Sequence, residues 1–122
     1  MLTQEKADQL AQEWIHAWNS HDIDAIIHHY SEAVIFTSPL IVKILDLPDG
    51  TITGKQALRD YFITGLSRFP ELNFKLYHVL VGCNSIVLYY KSVNNLVASE
   101  VMILDEAFKV KSCLCHYTTV EE

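Results

Sequence analysis

From residue 72 onward the chain consists of four long runs rich in Val, Ile, Leu and Tyr, at 72–82, 86–93, 96–105 and 109–120. Turn-forming stretches separate them: Gly82-Cys83-Asn84-Ser85, Asn94-Asn95 and Asp105-Glu106-Ala107. Asparagine tolerates positive φ, so Asn94-Asn95 suits a two-residue hairpin turn. Runs of this kind joined by short turns pair antiparallel, and four such strands twist and tend to curl. Val79, Leu80, Val81, Val87, Leu88, Val101, Met102, Ile103 and Leu104 put apolar side chains on both faces. A sheet apolar on both faces needs cover on both.

The first half of the chain supplies part of that cover. Ala7, Leu10, Ala11, Trp14, Ile15 and Trp18 recur at helical spacing, predicting an amphipathic helix from about Thr3 to Asn19. Asn19-Ser20-His21 stops it, and Asp22 can cap a second helix that buries Ile23, Ile26, Ile27 and Tyr30. A short strand follows at 34–38, ended by Pro39. The apolar segment 39–49, broken by Lys43, Asp46 and Pro48, reads as an irregular rim. Such a segment covers a pocket, meets a partner or simply packs on the core. Thr53-Gly54-Lys55-Gln56 fits a capping box ahead of a third helix, which buries Leu58, Tyr61, Phe62 and Leu66 and stops at Pro70. Helices first and antiparallel strands later make an α+β class. A length of 122 residues makes one domain, 1–122.

The net charge of −6 and nine scattered basic residues exclude a nucleic-acid or anionic-membrane surface. No apolar run approaches a membrane span, and Gln4, Glu5, Asp8 and Gln9 interrupt any leader, so a cytoplasmic location is expected. The three cysteines, Cys83, Cys113 and Cys115, do not form a disulfide framework. Cys113-Leu114-Cys115-His116 lacks a second cluster to complete four metal ligands, so no metal and no cofactor is expected. No phosphate-binding glycine loop or nucleophile elbow is present. His78 and His116 read as structural, and His16, His21, His28 and His29 as exposed.

The order Trp14, Asn19, Asp22, Tyr30, Ser38, Pro39, followed by the helix within 51–62, resembles NTF2-like proteins. The likeness is to the SnoaL-like and ketosteroid-isomerase-like branch. It implies a cone in which three N-terminal helices pack on a strongly curved, mostly antiparallel sheet. It further implies a homodimer through the outer face of the sheet. Glu100 falls where the isomerase keeps a pocket carboxylic acid, and Cys113, Cys115 and Tyr117 fall on the pocket side of the last strand. Trp14 stands in place of the oxyanion-hole tyrosine and Ser38 in place of the general-base aspartate. A serine takes no proton at neutral pH without a partner base, so steroid isomerisation is not expected.

Three functions follow as expectations. The first is a pocket for a small apolar or aromatic ligand, lined by Trp14, Trp18, Phe36, Ser38, Tyr61 and Phe62 from the first half. Tyr89, Glu100, Met102, Cys113, Cys115 and Tyr117 line it from the strands. The second is an isomerase, cyclase or dehydratase with Glu100 as acid or base and Ser38 or Trp14 as donor. The third is a dimeric interaction module without catalysis. Glu100 itself has two other readings, exposure at a sheet edge or an ion pair with Lys91 or a histidine.

Overall fold

The computed structural model describes residues 2–119, so Val120, the last residue of the expected fourth run, lies outside the described residues. Helix α1 spans Gln4–Asn19, and the Thr3 side chain accepts the Lys6 N–H at its start. Its buried stripe, Ala7, Ala11, Trp14, Ala17 and Trp18, lies against the sheet. Asn19 ends the helix and reaches 55 residues along the chain. Its amide donates to the Phe74 carbonyl at 2.9 Å and accepts the Phe74 N–H at 2.6 Å. His21 adds a contact of 2.8 Å to the Leu72 carbonyl and is half-buried rather than exposed. Helix α2, Ile23–Ile27, begins at Asp22, whose carboxylate accepts the Ala25 N–H.

Strand β1 spans Tyr30–Thr37, so Tyr30 opens a strand instead of closing a helix. The segment after it is irregular only from Asp46 on. It forms helix α3, Pro39–Leu45, with Ser38 accepting the Leu40 N–H and proline in the first turn. Proline ends a ladder and also begins a helix, where its missing N–H costs nothing. There are therefore four α-helices among the described residues, one more than expected. Gly50 then turns the chain at φ +63°, and a Cβ there would sit 2.9 Å from the Ser38 carbonyl oxygen. Only glycine fits both demands. Strand β2, Thr51–Thr53, pairs antiparallel with β1 through Phe36 and Ile52. Thr53 is thus held in a ladder and caps nothing. Gly54 starts α4, Lys55–Arg68, without a side-chain cap, and Gln56 donates to Asp60.

Strands β3 (Lys75–Val81), β4 (Ser85–Lys91), β5 (Leu96–Leu104) and β6 (Val110–Thr119) form an antiparallel meander. The β4–β5 turn carries Asn94 and Asn95 at φ 55° and 61°, the conformation asparagine tolerates. It is one residue longer than expected, three residues over Val93–Asn95, closed by the Ser92 N–H donating to the Leu96 carbonyl. Strand β1 joins parallel to β6, giving one sheet in the order β2-β1-β6-β5-β4-β3. The sheet is curved but unclosed. Its concave face and α1, α2 and α4 enclose an aromatic core in which Trp14 and Phe74 stack at 5.7 Å and Phe62 meets Trp18 edge-on at 4.8 Å. The convex face keeps Ile35, Leu80, Tyr89 and Leu114 exposed.

Candidate functional site

Glu100 sits at the centre of β5, where Ala98, Glu100, Met102 and Leu104 all face the concave side. It is 4% exposed, so neither the sheet-edge nor the ion-pair reading holds. Register puts it directly opposite Leu88 on β4 and Cys115 on β6. The diagonal neighbours complete its surroundings. The Tyr90 hydroxyl donates to Oε1, and the Cys113 thiol lies 3.4 Å from Oε2. Burial raises the Glu100 pKa, and the hydrogen bonds from Tyr90, Cys113 and Cys115 offset only part of that. The carboxyl is thereby biased toward its neutral, proton-bearing form.

The neighbouring groups are held neutral as well. Burial pushes the Cys115 thiol up to about 11 and raises the Tyr61, Tyr90 and Tyr117 phenols. The Cys113 thiol is raised first by its contact with Cys115, 3.9 Å between sulfurs, and then by burial. Ser38 lies beside the phenols of Tyr61 and Tyr117 and eases their ionisation slightly. Carboxyl, two thiols, hydroxyl and phenols thus form one buried polar patch at the floor of an aromatic cone. Three of its donor atoms, on Glu100, Cys113 and Cys115, lie within 4.8 Å of one another. His116, the third possible ligand of the Cys113–His116 segment, is exposed and turns to the Ser99 carbonyl, and Glu100 from the neighbouring strand takes its place, one short of the four that close a structural zinc site.

Above this patch is a cavity of about 60 Å³. Trp18, Phe36, Tyr61, Phe62 and Phe74 wall it; Tyr90, Glu100 and Tyr117 form its polar end. Leu40 and Ile44 of α3 close one side, so the apolar segment after Pro39 is a cover for the cavity. Its volume exceeds the roughly 10–15 Å³ one water needs, yet is under half of the ~150 Å³ that houses benzene in an engineered cavity. The protein's own rings fill most of the cone.

The expected lining divides accordingly. Trp18, Phe36, Tyr61, Phe62, Glu100 and Tyr117 meet the cavity, and Ser38, Cys113 and Cys115 lie in the patch beneath or beside it. Tyr89 does not: it is 40% exposed on the convex face, ring against Tyr77 and His78. Tyr90, one residue on, points inward in its place. Alternation along β4 decides this, and because both faces are apolar the sequence pattern could not. Trp14 is buried, but its N–H donates to the Tyr30 hydroxyl at 3.0 Å and its ring packs behind Tyr90. It is therefore not the free donor expected. Met102 faces a separate void of about 10 Å³ with Trp14 and Ile86. The unspent donor is instead Trp18 Nε1, buried and without a partner among the described residues. Phe74 and Tyr90 were missed: counting back from Glu100 through a two-residue Asn94-Asn95 turn points to Tyr89, and the extra residue in the actual turn shifts the parity so that Tyr90 faces inward. Among the described residues no histidine lines the cavity.

Comparison with known proteins places the chain. The family model for the SnoaL-like domain matches residues 11–98. A SnoaL-like protein of unknown function from Burkholderia thailandensis E264 is 36% identical, with 95% of this chain and 97% of that one covered at a TM-score of 0.92. An NTF2-like protein of unknown function from Cytophaga hutchinsonii ATCC 33406 is 18% identical over 97% and 95%, at 0.72. SalBIII, an epoxide hydrolase/cyclase-like enzyme of pyran-ring formation in the polyether salinomycin, is 19% identical over 97% and 95%, at 0.77. No curated protein matches. Family match and fold agree: the chain belongs to the SnoaL-like family and has the NTF2-like fold.

Proposed function

We propose that this protein binds a small, narrow, largely apolar molecule in the cone, and that it does so as a homodimer joined through the convex face of the sheet. The observation that carries the reading is the pairing of an aromatic cavity with a buried Glu100 at its polar end, its pKa raised by burial. In its protonated form the carboxyl, with the neighbouring phenols and the unspent Trp18 N–H, offers hydrogen bonds to an ether or carbonyl oxygen on an otherwise apolar ligand. The test is native mass spectrometry of protein from its own host together with tryptophan emission during titration with straight-chain alcohols. A co-purifying small molecule, or an emission change retained in Trp14→Phe and lost in Trp18→Phe, is the expected result. Bare protein and no response to any alcohol defeat the reading.

One observation favours a second reading, acid–base catalysis of the isomerase, cyclase or dehydratase kind. Glu100 stands at the wall of the cavity with its pKa raised by burial, so that in its protonated form it can pass a proton to a developing oxyanion or to a leaving group. The likeness in fold to SalBIII is compatible with it. In that case Glu100→Gln keeps binding the molecule found by mass spectrometry and no longer converts it. Equal conversion by both proteins removes Glu100 from the chemistry.

A further inference from the structure

The aromatic cavity has a neighbour on its outer side. Phe69, Leu72, Ser92 and Val93 wall the cavity and also wall a second, larger hollow of about 400 Å³. That outer hollow is polar. Arg68, at the end of α4, and Lys91, at the end of β4, line it, with Asn73, Asn94 and Asn95 and the single acid Glu71. Neither Arg68 nor Lys91 is in an ion pair with an acid among the described residues, and the chain as a whole carries −6. Lys91 also stands opposite Lys75 on the β3–β4 ladder, and the Lys75 ammonium lies 5.9 Å from the centre of the Tyr77 ring. Arg68 and Lys91 thus line a hollow that shares four wall residues with the cavity.

From this juxtaposition we infer that the ligand is an amphiphile, with a narrow apolar end inside the cone and an anionic end, carboxylate or phosphate, held in the outer hollow by Arg68 and Lys91. The inference rests on the ligand reading above and specifies the chemistry at the other end of the same molecule. An anion there loses little hydration, since the hollow is open, and gains from two solvated cations. Exposed pairs of this kind each contribute a few-fold in affinity, so the preference over a neutral analogue is about fivefold for the two together.

Three probes of equal chain length test this by heteronuclear NMR titration: hexanol, hexanoate and hexyl phosphate. The expected result is tighter binding of one or both anions than of hexanol at low salt. That preference should shrink toward unity at molar salt, where exposed charges are screened, and vanish in the double variant Arg68→Gln, Lys91→Gln. The stronger of hexanoate and hexyl phosphate names the anion. Hexanol binding as well as both anions, or a preference unchanged by the double variant, overturns the inference and leaves the ligand reading standing. Failure of all three probes to bind overturns both. Both substitutions lie on the surface of the hollow, so the fold itself is not at stake.

Discussion

Glu100→Gln separates a buried acid from a solvated one. Glutamine keeps the carbonyl that accepts the Tyr90 hydroxyl and fills the same space, but it carries no titrating proton. In the native protein the Glu100 pKa is raised from about 4.5 by burial. Over the pH range from that value up to the folded-state pKa, the folded chain therefore binds more protons than the unfolded one. Stability is fully present below the lower limit, falls as pH rises through the range, and levels off above it. One proton sets the limiting slope at about 1.4 kcal/mol per pH unit. For a domain of this size that is roughly 5–6 °C in Tm per pH unit. Other groups titrate too. His29, its pKa lowered by burial, contributes in the opposite sense, gaining stability as pH rises toward 6.5. These contributions are shared by both proteins, so the quantity to plot is the Tm of the variant minus that of the native protein from pH 4.5 to 8. The difference should climb in favour of glutamine and then plateau. A flat difference would place the carboxyl in water or against a cation, and the neutral-acid account of the site would be refuted.

Three further outcomes are expected. Asn19→Ala removes both hydrogen bonds to the Phe74 backbone and should lower unfolding free energy by about 1–3 kcal/mol, read as a lower urea midpoint at unchanged slope. Ser38→Ala uncaps α3 over the cavity and should cost about 0.5–2 kcal/mol; it should also raise acrylamide quenching of Trp18, measured in Trp14→Phe, and unchanged quenching would mean α3 does not depend on its cap. Leu114, exposed at 44% on the convex face, is the position for testing the dimer: sedimentation should show a native dimer and a Leu114→Lys monomer, and a native monomer would remove that part of the proposal.

Much of the fold follows from rules that act over a few residues. Thr3 and Asp22 cap their helices because a short oxygen-bearing side chain reaches the next turn in any context. Asn94 and Asn95 turn the β4–β5 hairpin for an equally local reason, and the apolar runs after residue 72 pair with their sequence neighbours. The burial of Glu100 follows less directly, from its place within an apolar strand. Where two local rules compete, the reading failed. Ser38-Pro39 ends a ladder and also begins a helix, and α3 was lost to the first meaning.

The site was decided by pairing between strands and by packing between elements. Tyr89 and Tyr90 are adjacent and chemically identical, and only the register of β4 against β5 sends the second to Glu100. Trp14 and Trp18 share one helical stripe, yet Tyr30 takes the N–H of the first, and the second is left to face the cavity. Cys113 and Cys115 needed Glu100 from the neighbouring strand before they became part of a polar patch. Asn19 reads as a helix stop until Phe74 arrives beside it. A side chain's helix or strand propensity belongs to its own stretch of chain, whereas its proton, its free donor and its cavity depend on residues that only the tertiary fold brings near.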